Sequence, residues 1–351
     1  MLLPTTLPTL LAQDYPGPAL ILLVDDQSSD GTATVARALA DNRGTHGLPL
    51  SVVAGKPRPP GWAGKPWAMA QGAQHAISGA GMPGGEGAEW LLFTDADISH
   101  SPSSLRQLVA SALADRRASV SLMARLSAKA GWERLLMPAF VYFFAQIYPF
   151  GWVNDRRRRT AAAAGGCMLV QVEALNEAGG VEAIAGNTID DVAMARALKR
   201  AGSDIWLGLA GTRDDDGAPR VESHRSYPRL ADSWEMVARS AYTQLRYNPA
   251  FLAGTVVGLS AIYLVPPVLA VAGLATRRPA MAVAGLGAWT AMTATYLPMV
   301  RYYRAPAASA LALPFTACLY LAMTVSSAQR HHKGGVAWNG RPISFESVTA
   351  R

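Results

Sequence analysis

Read for hydrophobic and polar alternation, the chain changes character near residue 250. Before that point, short uninterrupted apolar runs alternate with segments of helical period. The run 20–24 is continuously apolar, as buried parallel strands are, 90–94 reads as another buried strand, and 50–54 and 120–123 read as two more strands. Two of them close on carboxylates, at Asp25-Asp26 and at Asp95-Ala96-Asp97. Helical spacing follows at 32–40, with Asp30 as its cap, and at 67–77 after a loop over 61–66. A third helix starts at Ser101-Pro102, with Ser101 as cap and Pro102 in the first turn. The glycine-rich stretch 79–87 reads as a surface turn. Strand and helix alternating in this way predict a doubly wound α/β sheet. In such sheets ligands lie beyond the carboxyl ends of the strands, where Asp25, Asp26, Asp95 and Asp97 fall.

After residue 250 the pattern is different. The segments 251–275, 279–300 and 305–328 contain no Asp, Glu, Lys or Arg. Each exceeds the roughly 20 residues a helix needs to cross a bilayer core of about 30 Å. Core helices of a soluble domain are the rival reading, but runs this long are hard to enclose in so small a protein. Residues 132–152 are apolar around most of a helical circumference, with Trp132 and Trp152 at the ends and Pro138 and Pro149 inside. A core helix and an interfacial helix both fit, and the basic run 156–159 that follows favours the interface. The expected division is a domain over 1–250, three membrane segments over 251–328 and a basic tail over 329–351.

Composition sharpens this picture. Charged residues make up 16% of 351 positions, against about a quarter in soluble domains. The net charge of +7 is concentrated at 156–159 and at the ends of the apolar runs. That placement suits anionic headgroups better than nucleic acid, for which no basic arm with interleaved aromatics is present. Two cysteines in different regions, Cys167 and Cys318, argue against a disulfide and fit a catalytic portion facing a reducing cytosol. No signal peptide is legible over 1–11. Arg277, Arg278, Arg301 and Arg304 lie in successive loops, so counting positive charge assigns no topology. Three spans would put the tail opposite the catalytic domain; a re-entrant segment broken at Pro266-Pro267 would put it on the same side.

The acids carry the chemistry. Asp95 and Asp97 occupy alternate positions of a turn after a buried strand. A hard cation such as Mg²⁺ or Mn²⁺ held there would bridge carboxylate and phosphate oxygens. Taken alone, such a pair is as compatible with a solvated turn. Asp25 and Asp26 stand ahead of Ser28-Ser-Asp-Gly, and two acids before a cap exceed what capping requires. An acidic pocket of the response-regulator kind is the alternative, but it predicts a soluble domain of about a third of this size, without a membrane tail. Lys65, in Gly61-Trp-Ala-Gly-Lys-Pro-Trp, is either a surface lysine or a cation for donor phosphate. Asp190-Asp191 opens a helix over 192–200, either stabilising its dipole or supplying a general base. Gln244, Arg246 and Tyr247 close an amphipathic segment over 230–247, as a polar face or as ligands of a diphosphate.

In their order, Val24-Asp25-Asp26-Gln-Ser-Ser-Asp-Gly-Thr, Gly64-Lys65, Asp95-Ala-Asp97, Gly165-Gly166-Cys-Met-Leu, Asp190-Asp191 and Gln244-Leu-Arg-Tyr resemble family 2 glycosyltransferases with a GT-A fold. Within that family the chain looks similar to the membrane-bound, ceramide-glucosyltransferase-like group. Trp132-Glu-Arg-Leu-Leu, Tyr148-Pro-Phe-Gly-Trp-Val-Asn-Asp and the arginine run into Thr160 resemble the hopene-associated glycosyltransferases encoded in hopanoid gene clusters. The resemblance implies a GT-A domain followed by transmembrane helices in a bacterial inner membrane, with the catalytic domain cytoplasmic. It implies Asp25 and Asp26 at the nucleotide, Asp95 at ribose or sugar, and Asp97, with Asp95, at Mg²⁺ or Mn²⁺. Asp191 would be the base, beside Asp190 where the family carries Glu. Gln244, Arg246 and Tyr247 match the diphosphate motif Gln-x-x-Arg-Trp, one residue short and with Tyr for Trp. Family members usually open with a strand that here would precede residue 1, so an incomplete sheet and reduced activity are expected.

These features imply an inverting transfer from a nucleotide-sugar, UDP-linked, to a lipid hydroxyl, giving a glycolipid. Two rivals remain. One is extension of a polysaccharide, for which three spans are few. The other is a catalytically impaired membrane protein that binds nucleotide-sugar.

Overall fold

The computed structural model describes residues 2–42, 47–129, 131–211 and 220–333, and the backbone of Ala337–Trp338 and Arg341–Pro342. The basic side chains expected beyond 333 lie outside the described residues. The chain forms two compact units, one of residues 1–127 and 147–225, the other of 128–146 and 226–351. The boundary expected at residue 250 follows composition. Contact instead groups the helix around 131–146 and the segment 226–248 with the later apolar helices.

In the first unit, α1 (Leu3–Leu11) precedes β1 (Ile21–Asp25), α2 (Thr32–Asp41), β2 (Leu50–Ala54) and α3 (Gly64–Ile77). β1 and β2 pair in parallel, Leu23 opposite Val52. Leu3, Leu7 and Leu11, one face of α1, bury against Ile21, Leu23, Leu50 and Val52. Spacing of four residues stacks them on one stripe. Asp30 Oδ1 accepts from the Thr32 amide (3.2 Å) and hydroxyl (2.6 Å). Gly31, at φ 79°, makes the entry turn that a side chain would strain.

The second half of this unit contributes β3 (Trp90–Thr94), β4 (Ile98–His100), α4 (Ser104–Ala114) and β5 (Ser119–Met123). The helix expected from Ser101 begins at Ser104 instead. β4 pairs with a later strand, and the Ser101 amide donates to Arg220 O (2.8 Å), which delays the helical turn. Then come α5 (Gly131–Ile147), α6 (Phe150–Val153), β6 (Cys167–Gln171), α7 (Val172–Glu177), α8 (Asp190–Arg200), β7 (Ile205–Leu209) and β8 (Val221–Ser223). α5 falls almost wholly in the second unit.

Four strands form a mixed sheet in the order β3-β6-β5-β7, and β4 pairs with β8. β6 enters antiparallel to both neighbours while β5 and β7 run parallel, so the sheet is mixed. The alternation of strand and helix predicted an α/β fold, and one is present. Val120, Leu122, Leu169 and Val221 form its core with Leu108 of α4. Behind α6, Lys199 Nζ donates to the carbonyls of Val153, Asp155 and Thr160 (2.7–3.0 Å), fixing the loop that carries the arginine run.

The second unit holds α9 (Leu230–Ala238), α10 (Ala241–Gln244), α11 (Pro249–Leu259), α12 (Val265–Ala275), α13 (Pro279–Tyr302) and α14 (Leu313–His332). A π turn at 260–264 joins α11 to α12. It lies immediately before Pro266-Pro267, whose missing amides would leave carbonyls unpaired in a regular α-helix. The helix therefore continues through the prolines rather than re-entering there. α12 and α13 run antiparallel, with Gly285 so close to Pro266 and Ala270 that a Cβ would overlap their backbone. After α13 the chain folds back, and Trp289 Nε1 donates to Leu311 O (3.2 Å). α14 then returns to the start of α11, where His331 stacks on Tyr247 at 4.4 Å. Residues 248 and 332 consequently lie at the same end of this unit.

Among the described residues, three helices are long and apolar enough to cross a membrane: Gly131–Val153, Pro249–Ala275 and Ala307–His332. Two correspond to segments expected from sequence. The third is the tryptophan-ended stretch read as interfacial. α13 is a continuous helix of 24 residues but is not among the three.

Candidate active site

The loop ahead of α3 is tied to the segment ahead of α8, the Ala63 amide donating to Ala185 O (2.6 Å). This brings Lys65, in the first turn of α3, against Asp190 and Asp191, in the first turn of α8. β3 delivers Asp95 to the same place. Thr94, its last residue, donates from Oγ1 to Gly166 O (2.9 Å) and meets His100 Nε2 (2.9 Å). Because the threonine proton goes to the carbonyl, His100 is the donor in the second contact.

Lys65 Nζ lies 2.7 Å from Asp95 Oδ1 and 3.0 Å from Asp190 Oδ2. Burial opposes its charge, but Asp95 and then Asp190 outweigh that and hold the ammonium above the usual lysine range. Asp190 Oδ2 is buried and meets Lys65 as an ion pair without hydrogen-bond alignment. Asp191 accepts from the amides of Gly165 (2.9 Å, Oδ2) and Val192 (2.7 Å, Oδ1). Enclosure, and then the charge of Asp190, push its carboxyl above the ordinary carboxylate range, against the opposing pull of Lys65 and the two amides. A Cβ on Gly165 would lie 2.8 Å from Lys65 Nζ and 3.3 Å from Asp191 Oδ2. Glycine is therefore what lets Lys65 and Asp191 approach one backbone.

Asp97 is held by β8. Ser223 Oγ donates to its Oδ2 (3.2 Å), and the His224 amide to its carbonyl (2.8 Å). Burial, and secondly the charge of Asp95, raise its carboxyl above the ordinary range, while Ser223 and Arg225 oppose the rise. Ser223 and Arg225 were not singled out from sequence. They become relevant because β8 pairs with β4, a long-range contact with no local signature.

Lys65, Asp95, Asp190 and Asp191 thus come together from positions up to 126 apart, and Asp97 feels the charge of Asp95. Asp25 and Asp26 close β1. Asp25 Oδ1 accepts from the Ser28 amide (3.0 Å), and among the described residues neither acid is hydrogen-bonded or ion-paired to the Lys65 cluster. Gln244, Arg246 and Tyr247 belong to the second unit, at the end of α10. Arg246 (φ 53°) and Tyr247 (φ 54°) are consecutive left-handed residues, a conformation costly for non-glycine side chains. The Tyr242 hydroxyl donates to Tyr247 O (2.9 Å), and Thr243 Oγ1 lies 3.0 Å from the Tyr247 hydroxyl, holding that turn.

A model of the family described as "Glycosyltransferase like family 2" matches residues 2–210, well over half of the chain. The chain belongs to that family. No curated protein sequence matches it. Among solved structures, S. aureus TarS is 16% identical over 69% of this chain and 37% of its own, with a TM-score of 0.41. A shorter TarS chain, spanning its residues 1–349 in complex with UDP-GlcNAc, is 14% identical at a TM-score of 0.37. The same length of TarS in complex with UDP is also 14% identical, at 0.41. Both comparisons cover 95% of this chain and 88% of the other. The chain therefore spans little more than a third of the longer TarS protein.

Whether a divalent cation suits the acids can be judged from their surroundings. Lys65 pairs with Asp95 and Asp190, and Asp97, next to Asp95 and opposed by Arg225, adds a further carboxylate to this corner. Its donors are hard carboxylate oxygens, as Mg²⁺ and Mn²⁺ prefer. Among the described residues no three acidic, histidine or cysteine side chains are placed to hold a metal ion by themselves. Two carboxylates completed by phosphate and water is the usual protein share for Mg²⁺. The residues fit.

Proposed function

We propose that this family 2 glycosyltransferase is membrane-bound, metal-dependent and inverting, and moves a sugar from a UDP-linked donor to a lipid hydroxyl, in hopanoid-related metabolism. The observation that carries the reading is Asp191. It is an enclosed carboxylate with a raised pKa, oriented by two backbone amides and lying beside a lysine that bridges two further acids. Such perturbation in a polar cleft is characteristic of catalytic bases.

In the proposed step Asp191 takes the proton of the acceptor hydroxyl. The oxygen attacks the anomeric carbon as the bond from that carbon to the diphosphate oxygen breaks, so configuration inverts in one displacement. The electron pair leaves with the nucleoside diphosphate. Asp97 and Asp95 would hold Mg²⁺ or Mn²⁺, which supplies charge neutralisation for the diphosphate when bound. Lys65 pairs with Asp95 and Asp190 and aligns them, Asp25 and Asp26 contact the nucleoside, and Gln244, Arg246 and Tyr247 receive the diphosphate. Three membrane-length helices support a lipid acceptor, and free Cys167 and Cys318 support a cytoplasmic catalytic unit at a bacterial inner membrane. With residues 248 and 332 at one end of the second unit, the tail leaves on the side from which α11 enters.

Asp191→Asn is near isosteric and removes the base, though its one side-chain oxygen can accept from only one of the two amides of Gly165 and Val192. Lipid glycosylation should fall by about 10²–10⁴-fold while donor binding persists. Turnover at the wild-type rate would overturn the assignment.

A further inference from the structure

α1 is engaged on two faces of different character. Leu3, Leu7 and Leu11 pack on β1 and β2, whereas Thr6, Thr9 and, just beyond the helix, Gln13 follow one another at three- and four-residue spacing as a polar stripe. Each of the three meets the segment 96–105. Thr6 Oγ1 donates to Ala96 O (2.7 Å), and Thr9 Oγ1 accepts from the His100 amide (3.1 Å). Gln13 Nε2 donates to Ser101 O (2.8 Å), and its Oε1 accepts from Ser104 Oγ and the Leu105 amide (both 2.9 Å). Packing on β1 and β2 accounts for the leucines alone.

The contact at Ala96 bears on the acids. Residues 95–98 form a turn closed by the Ile98 amide on Asp95 O (3.1 Å). Asp97 O accepts from the His224 amide (2.8 Å), which leaves Ala96 O to the Thr6 hydroxyl. Thr6 Oγ1 also lies 3.4 Å from Leu2 O, but a hydroxyl has one proton and the shorter contact takes it. Of these three donors to the turn, Thr6 alone acts through its side chain. The Ala96 carbonyl belongs to the planar peptide that joins Ala96 to Asp97. Holding it fixes ψ of Ala96 and φ of Asp97, and hence the direction in which the Asp97 carboxylate leaves the backbone. Thr6 is buried, so without its hydroxyl the carbonyl would stay unmet unless the peptide turned.

We propose that Thr6 is a positioning residue for Asp97: its hydroxyl sets the peptide between Ala96 and Asp97, and so the aim of the carboxylate that would hold the cation. The proposal rests on the assignment of Asp97 and Asp95 to Mg²⁺ or Mn²⁺ made above, and adds the group that orients them. Thr9 and Gln13 keep α1 in register with β4 and α4, which lets a single hydroxyl act on the turn.

Thr6→Val exchanges the hydroxyl for a methyl at nearly constant volume, while Thr6→Ser keeps the hydroxyl and removes the methyl. The full chain in phosphatidylcholine nanodiscs is titrated with Mn²⁺ in the presence of UDP, against empty nanodiscs, and unbound Mn²⁺ is read by electron paramagnetic resonance. Thr6→Val should raise the apparent Mn²⁺ dissociation constant about tenfold, and quicken hydrogen exchange at the Ile98 amide by a similar factor, as the loss of a buried hydrogen-bond donor implies. Thr6→Ser should stay within about twofold of the wild type in both. Equal impairment in the two variants would assign Thr6 to packing, and wild-type Mn²⁺ binding or wild-type exchange in Thr6→Val would separate it from Asp97; each result overturns the proposal. Thr6→Ala takes the place of Thr6→Val if that chain does not fold. Failure of both to fold while Thr6→Ser folds would make the hydroxyl a support of the whole unit, which overturns the proposal too. If the wild-type chain binds no Mn²⁺ with UDP, the cation reading fails, whereas exchange at Ile98 still decides whether Thr6 holds the turn.

Discussion

Lys65→Met removes one positive charge from a corner holding three carboxylates and keeps much of the side-chain volume. Both Lys65 Nζ and Asp191 Oδ2 lie close to the Cβ direction of Gly165, so they are no more than about 6 Å apart. At an effective dielectric constant of about 20, charges at that separation interact by about 3 kcal/mol, or about two pKa units. The lysine side chain is 32% exposed, and solvent screening reduces this to about one unit. Losing Lys65 disfavours the charged form of Asp191, so its pKa rises further and the base stays protonated to higher pH. The acid limb of kcat/KM for sugar transfer should accordingly move up by about one pH unit. Stability should fall by about 1–2 kcal/mol, between the values for exposed and buried pairs. The assay is the pH–rate profile of the reconstituted chain, with Lys65→Arg as the charge-retaining control. If Lys65 serves only the donor phosphate, KM rises and the acid limb stays in place. A limb that superimposes on the wild-type profile would refute the electrostatic account.

Other outcomes follow from the same geometry. His100 is buried, and burial depresses its pKa to about 4, so the unfolded chain binds a proton that the folded one refuses as pH falls below about 6.5. Stability should be complete above that value and decline by about 3 kcal/mol towards pH 4; the unfolding midpoint of His100→Gln should lack this dependence. Gly165→Ala should leave the fold intact, because the clash falls on the mobile end of Lys65, yet reduce transfer at least tenfold; circular dichroism and rate together check it. Chelation with EDTA should abolish transfer, Mn²⁺ or Mg²⁺ should restore it, and Asp97→Asn should raise the metal concentration needed. Metal-independent transfer would remove Asp97 and Asp95 from the assigned role.

Much of the α/β unit was legible from residues alone. β1, β2, β3 and β5 fall on the runs read as strands, because their apolar and β-branched residues outweigh the few serines and threonines among them. The acids were legible because unpaired carboxylates in sequence ask for a partner. Their partners were less so. Lys65 was read as a ligand of phosphate, whereas its bridge to Asp95 and Asp190 depends on the Ala63–Ala185 contact, between residues far apart in the chain. Ser223 reached Asp97 through a three-residue strand pairing that no local pattern announces.

The apolar half shows the same division. Composition by itself determined that long uncharged helices follow the catalytic motifs, since hydrophobicity is a sum over local residues. It could not rank α13 against 132–152, nor place the turn-back near Leu311 rather than at Pro266-Pro267. Those outcomes depend on close approach, with Gly285 against α12, Trp289 reaching Leu311, and His331 stacked on Tyr247. The order of acids along the chain pointed to the family. Only tertiary structure decided which acids share a lysine, because charge pairing acts through space and depends steeply on distance.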